Sequence, residues 1–171
     1  GKPAKIKLEM ARDVKGNNRQ REELQKKMWE NEARNKDAKG RLQEKGINNP
    51  TRNDIIKYKL WEECNFKCPY TGKDISQTAV FGDHSEFQVE HILPYDRSLD
   101  DSYMNKTLCY VHENIHVKGN KTPYEAYSHD VKKFEEILQR VNKSKMPYPK
   151  KQRFWQKEIS LEEHISRELN D

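Results

Sequence analysis

Four polar residues in the middle of the chain have types and spacing suited to metal-assisted hydrolysis. Glu90 and His91 are adjacent, Asn105 follows His91 by 14 positions, and Asn114 follows it by 23. An unperturbed imidazole titrates near ~6.5, so His91 is suited to take a proton from water at neutral pH. Glu90 and Asn114 offer oxygen ligands. Two protein oxygens, with water and substrate filling the remaining positions, suit Mg²⁺ or Mn²⁺ better than Zn²⁺. A second pattern overlaps the first. His112-Glu113-Asn114-Ile115-His116 fits H-E-x-x-H, in which two histidines one helical turn apart hold zinc and the glutamate acts as general base. Gly119 stands at the glycine of the longer form of that pattern, but Thr122 takes the place of its third histidine. The run into Gly119-Asn120-Lys121-Thr122-Pro123 also ends the segment too soon for a long active-site helix. His112 and His116 stay open as auxiliary metal ligands or phosphate contacts. Cys64, Cys68 and Cys109 are an odd set, which argues against a disulfide framework. Cys64-x-x-x-Cys68 could be half of a zinc site completed by Cys109 or His84. The spacing is not C-x-x-C and no second pair exists, so three buried free thiols are favoured. His84, His129 and His164 have no spacing partner and read as surface residues.

These residues need elements to hold them. Glu86 to His91 alternates, with Phe87 and Val89 on one face and Gln88 and Glu90 on the other, and Pro94 ends the strand. Neighbouring strand residues point to opposite faces, so the chain must bend near Pro94 for Glu90 and His91 to meet one phosphate. Thr107 to Val111 is a second short strand, followed by a polar helical turn at 112–118. Upstream, Thr51-Arg-Asn-Asp54 can cap a helix that runs to about Glu63, and Pro69-Tyr-Thr-Gly72 reads as a turn. Downstream, Thr122-Pro-Tyr-Glu125 is a capping box with Pro at the first helical position. Tyr127, Val131, Phe134, Leu138 and Val141 then continue at helical spacing, which predicts one helix with a single buried face. The fold class expected is α+β: two short antiparallel strands and a helix, with further helices around them.

The whole chain is polar. Of its 171 residues 33% are hydrophobic and 36% charged, against about 45–50% and about 25% in an ordinary globular chain. A core running through all of it is therefore not expected. Residues 12–45 carry 11 basic and 7 acidic side chains with few large apolar ones, which predicts a solvated helix or a mobile linker. Residues 137–157 hold seven basic side chains and no acidic one; this run is either a solvated face or a track for phosphates, with Phe154-Trp155 as an anchor to a neighbouring domain. No stretch approaches the ~18 apolar residues of a membrane span and no signal peptide opens the chain, so a soluble, intracellular setting is expected. The net charge of +5 hints at a polyanionic partner.

The segment from Val89-Glu-His-Ile-Leu-Pro-Tyr-Asp-Arg-Ser-Leu-Asp-Asp-Ser-Tyr-Met-Asn-Lys106, continued by Glu113-Asn114 and Lys118-Gly119-Asn120, resembles the HNH nuclease domain of type II CRISPR RNA-guided DNA endonucleases. Cys68-Pro-Tyr-Thr-Gly-Lys73 is similar to members of the same family. His112 and His116 depart from it, standing where many members carry other residue types. The resemblance implies a β-β-α-metal fold that hydrolyses a phosphodiester of the DNA strand paired to a guide RNA, with one Mg²⁺ ion that Mn²⁺ can replace. It implies His91 as general base, Glu90 and Asn114 as metal ligands, and Asn105 as the residue that orients the His91 loop. Lys106, Lys118 and Lys121 are expected to contact nucleic acid. Ile6-Lys-Leu-Glu-Met-Ala-Arg12 is similar to the family's second RuvC-like segment and Ser166-Arg-Glu-Leu-Asn-Asp171 to the start of its third. The implied organisation is a fragment: a RuvC-like remnant at 1–12, a linker at 13–48, the HNH domain at 49–145, and a linker with the start of RuvC-like segment III at 146–171. Glu9 matches a RuvC-like metal ligand whose partner carboxylates are absent, so no activity is expected from it. Implied partners are the guide-paired target DNA and the RuvC-like and recognition domains, in a prokaryotic cytoplasm and without a membrane. The piece alone is expected to be monomeric and weakly active or inactive, or to act only as a metal- and nucleic-acid-binding module.

Overall fold

The structure is a computed structural model that describes residues 18–82 and 85–159. The expectations for Glu9, His84, His164, residues 1–12 and residues 166–171 lie outside the described residues. The chain divides into two units, with the division between Asn49 and Pro50.

The first unit holds α1, Asn18–Glu44, 27 residues long. Its side chains are charged on all sides, and of these only Ala38 and Leu42 are buried. The solvated-helix alternative is the one observed.

The second unit begins with α2, Arg52–Glu63, where Thr51 and Asp54 form the capping box read from the sequence. Each satisfies a backbone N–H that the helix start leaves without a partner. Tyr58, Leu60 and Trp61 are its buried residues. The chain then turns through Cys68–Lys73, closed by Cys68 N–H to Lys73 O at 2.8 Å and Gly72 N–H to Cys68 O at 2.8 Å. Gly72 sits at φ +74°, a backbone conformation that calls for glycine, and the Arg140 guanidinium lies 3.2 Å from where a Cβ would stand. The short helix α3, Gln77–Phe81, leads to β1, Phe87–His91. After it come α4, Tyr95–Ser98, and a 3₁₀ turn, Tyr103–Asn105. β2, Lys106–Tyr110, returns antiparallel to β1, with Phe87 opposite Tyr110 and His91 opposite Lys106. These are the only two strands among the described residues, and they form one sheet.

The polar turn after β2 is helical, but not as one α-helix. α5, Val111–Glu113, runs into a π-helical turn, Asn114–Lys118, closed by Gly119 N–H to Asn114 O at 2.8 Å. The helix expected from Thr122 to Val141 is two. α6 spans Pro123–Tyr127 under the predicted capping box of Thr122 and Glu125, and α7 spans Val131–Lys143. The Asp130 side chain accepts from Lys133 N–H and starts α7 afresh, which rotates its buried face. Ile137 and Val141 are buried, whereas Val131, counted on the predicted stripe, is 67% exposed. α8, Tyr148–Gln152, closes the unit.

The core lies between α2, the sheet, α6, α7 and the C-terminal segment. Residues assigned from sequence to a linker supply part of it: Met146, Lys150, Arg153 and Phe154 are buried. Phe154 packs on Tyr70 at 5.6 Å between ring centroids rather than facing outward as an anchor. The basic run 140–157 is largely engaged in the fold. Arg140 donates to Pro69 O and Tyr70 O, Lys150 pairs with Glu63, and Arg153 pairs with Asp100.

Candidate active site

β1 ends in Glu90-His91, and an open cleft of about 340 Å³ is lined by Glu90, His91, Tyr95, Asn114, Lys118 and Asn120, among others. The bend that brings neighbouring residues of a strand to one cleft is made by Asn105. Ile92 N–H bonds Asn105 O at 2.8 Å, Asn105 Oδ1 accepts from Leu93 N–H at 2.9 Å, and Asn105 Nδ2 donates to Leu93 O and Asp100 O, both at 2.8 Å. The side chain is wholly buried, and every one of its bonds holds the segment that follows His91.

Glu90 faces inward. Its side chain is 2% exposed and pairs with Lys118 Nζ at 2.9 Å, while the Tyr70 hydroxyl donates to its other oxygen. Burial pushes the Glu90 carboxyl up, and the Lys118 ammonium followed by the Tyr70 hydroxyl oppose that shift. Burial, then the Glu90 charge, pushes the Tyr70 phenol well above its ordinary range, so it stays a donor. Lys118 also donates to His91 O at 2.9 Å. Its side chain is 1% exposed, which corrects the expectation of a surface contact to nucleic acid. The π turn is what carries Lys118 inward. A five-residue loop of backbone ending at Gly119 is wider than an α turn and re-aims the residues at its end.

His91 is half-buried, and its Nε2 lies 2.7 Å from Asp101 Oδ1. Tyr95 flanks the ring at 5.5 Å. Lys106, opposite His91 on β2, binds the same Asp101 oxygen at 2.8 Å, so it too is drawn into the site rather than free for phosphate. Lys121 is exposed. Lys106 first, then His91, hold the Asp101 carboxyl below the usual carboxylate range. Asp101 was missed from sequence; its one signal was two consecutive aspartates in the loop that returns the chain to β2.

Glu90 and Asn114 carry the oxygen donors a hard divalent ion takes, but Lys118 and Tyr70 occupy both Glu90 oxygens, so an ion would have to displace one of them. Asn114 lines the cleft with Glu90, and its side chain makes no hydrogen bond among the described residues. One carboxylate and one amide oxygen leave most positions to water, as Mg²⁺ prefers. No group of three or more His, Cys, Asp or Glu suited to a metal occurs among the described residues. The zinc pattern is not assembled. The His112 and His116 rings lie 4.7 Å apart at a tilt of 46°, exposed, but Glu113 turns into the interior and pairs with Lys133 at 3.0 Å. It is not placed to serve as a base beside them. All three cysteines are free and buried. Burial pushes the Cys64 thiol up to about 12, while a hydrogen bond from Cys109 holds Cys68 down to about 6 and drives Cys109 up.

Known proteins resemble this chain in sequence and fold. Residues 68–124 match the model of the HNH endonuclease family. The Cas9 endonuclease of Campylobacter jejuni is 37% identical over 102 residues, 60% of this chain and 10% of that protein. Cas9 1 of Streptococcus thermophilus is 37% identical over 113 residues, 65% of this chain and 10% of that protein. A crystal structure of Streptococcus thermophilus Cas9 in complex with an AGGA PAM superposes with a TM-score of 0.70 at 27% identity, covering 91% of this chain and 16% of that one. The Type II-C Cas9 of Actinomyces naeslundii shares the fold at a TM-score of 0.60 and 17% identity, over 83% of this chain and 15% of that one. The chain spans about a tenth of the length of the Cas9 relatives it matches. Match and fold agree: residues 68–124 carry an HNH endonuclease domain, and the chain is similar to the part of Cas9 enzymes that holds it.

Proposed function

We propose that the chain is the nuclease module of an RNA-guided DNA endonuclease and hydrolyses a phosphodiester of the strand paired to the guide. The observation that carries it is one cleft lined by His91, Glu90 and Asn114 together. His91 takes the proton of the attacking water. Its ring is held at Nε2 by Asp101 and flanked by Tyr95, so it is oriented before substrate arrives. Glu90 and Asn114 would hold Mg²⁺, which when bound supplies electrostatic stabilisation at the phosphoryl and leaving oxygens. Asn105 fixes the path of the chain after His91. Guide RNA, target DNA and the RuvC-like and recognition domains are the partners of this reading, and a prokaryotic cytoplasm is its setting. Sequence would be read by base pairing, leaving this module to recognise backbone geometry.

The test is His91→Ala in the full enzyme, loaded with guide and assayed strand by strand. Cutting of the guide-paired strand should fall by at least ~10²-fold, with cutting of the other strand retained. Wild-type cutting of the paired strand would overturn the role of His91.

A further inference from the structure

The contacts around His91 assign a job to a loop residue that neither its burial nor its exposure would single out. Asp101 is 66% exposed at its side chain, the usual situation of a surface ion pair of little consequence. Its surroundings differ from that case in three ways. First, two partners converge on a single oxygen: His91 Nε2 at 2.7 Å and Lys106 Nζ at 2.8 Å, both on Oδ1. Second, those partners sit opposite each other across the β1–β2 ladder, so the spacing that the carboxylate bridges is set by the sheet. Third, the backbone that delivers Asp101 is pinned. The neighbouring Asp100 accepts from Ser102 N–H at 2.9 Å, pairs with Arg153 at 2.9 Å, and gives its carbonyl to Asn105.

We propose that Asp101 is a positioning residue that, clamped by Lys106, holds His91 as the Nε2–H tautomer and leaves Nδ1 as the atom that takes the proton from water. The chemistry follows from the carboxylate being an acceptor. A neutral imidazole facing it at Nε2 carries its hydrogen there, so the lone pair lies on Nδ1. Among the described residues Nδ1 has no hydrogen-bond partner. When water gives its proton to Nδ1, the ring becomes a cation beside a fixed carboxylate, which stabilises it without itself taking the proton. Lys106 favours that division, because its ammonium keeps the carboxylate ionised.

The proposal rests on His91 being the base, and two readouts separate failure of one from failure of the other. The first is ¹⁵N NMR of the histidine-labelled 171-residue chain above pH ~8, where an imidazole is neutral. Wild type should show His91 protonated at Nε2, and Asp101→Ala should move it toward a mixture of tautomers. The second is the full, guide-loaded enzyme. Asp101→Ala should lower kcat for the paired strand ~10–100-fold with KM unchanged. Asp101→Glu should recover at least half of that loss on a logarithmic scale. Asp101→Asn, which keeps the shape but not the charge, is the variant to use if the alanine form does not fold, and it should lower kcat likewise. Unchanged kcat and tautomer, in an enzyme that His91→Ala does inactivate, would overturn the assignment of Asp101. An enzyme untouched by His91→Ala would overturn the reading beneath it.

Discussion

Glu90 and Lys118 face each other with 2% and 1% of their side chains exposed, so neither loses its partner cheaply. Removing one member of a buried pair leaves a charge in low dielectric and costs about 3–5 kcal/mol. Lys118→Met should therefore destabilise the chain by about that much in urea denaturation. Adding Glu90→Gln to it should return at least ~1 kcal/mol, because the uncompensated carboxylate is gone. A double variant no more stable than Lys118→Met would show the pair to be uncoupled. The Lys118 ammonium and the Tyr70 hydroxyl satisfy both carboxylate oxygens of Glu90 and so fix the end of β1. At this scale Glu90, His91, Asn105 and Asn114 were singled out by type and spacing together with the family resemblance. Lys118, Tyr70 and Asp101 could not be given their places, because a lysine in a polar run and an aspartate in a loop have the same local appearance whether they point in or out.

Two capping boxes of the second unit were legible because they are local. Thr51 with Asp54, and Thr122 with Glu125, need only three residues of spacing to declare themselves. Both strands were found within one residue for the same reason. The π turn at Asn114–Lys118 was not, since H-E-x-x-H spacing suggests an ordinary α turn and one sequence does not reveal an extra residue in it. The break at Asp130 was hidden by apolar residues that kept helical spacing across it. Glu125 shows how these elements are tied together. Besides capping α6 it takes a two-pronged bond from Arg97 of α4, at 2.6 and 2.9 Å. The Arg97 bond, then the Thr122 N–H, hold its carboxyl below the ordinary range. A lowered acid stabilises the fold above its unfolded pKa, and that contribution is lost as pH falls through the folded value. Glu125→Gln should thus cost roughly 0.5–1 kcal/mol at pH ~7, the pair being partly exposed, with the gap to wild type closing below pH ~4. Urea denaturation at several pH values checks it; a gap that persists in acid would assign the loss to packing instead of charge.

The second unit of the molecule reaches its own C-terminal segment for closure. Composition located the apolar residues in the middle of the chain, but treated 146–157 as a linker because 137–157 holds seven cations and no acidic residue. Cations of this run are internal ties: Lys150 is wholly buried against Glu63 and lies 4.0 Å over the Tyr103 ring, and Arg153 holds Asp100. Phe154 completes the closure by covering Tyr70, which also stacks on Tyr127 at 5.5 Å and donates to Glu90. One line of contacts therefore runs from the last helix to the floor of the cleft. Phe154→Ala should cost about 3–5 kcal/mol, the range for emptying an aromatic site in a core. Its effect should not be confined to α8. With the cover gone, water reaches the Tyr70–Glu90 pair, and amide exchange should accelerate in β1 and at Cys68–Lys73 as well as in 148–154. Trp155→Ala is the comparison, a half-buried neighbour that contacts Tyr148 and not Tyr70, and should leave exchange in β1 unchanged. Exchange that quickens only in 148–154 would mean that the C-terminal segment rests on the unit without supporting the site.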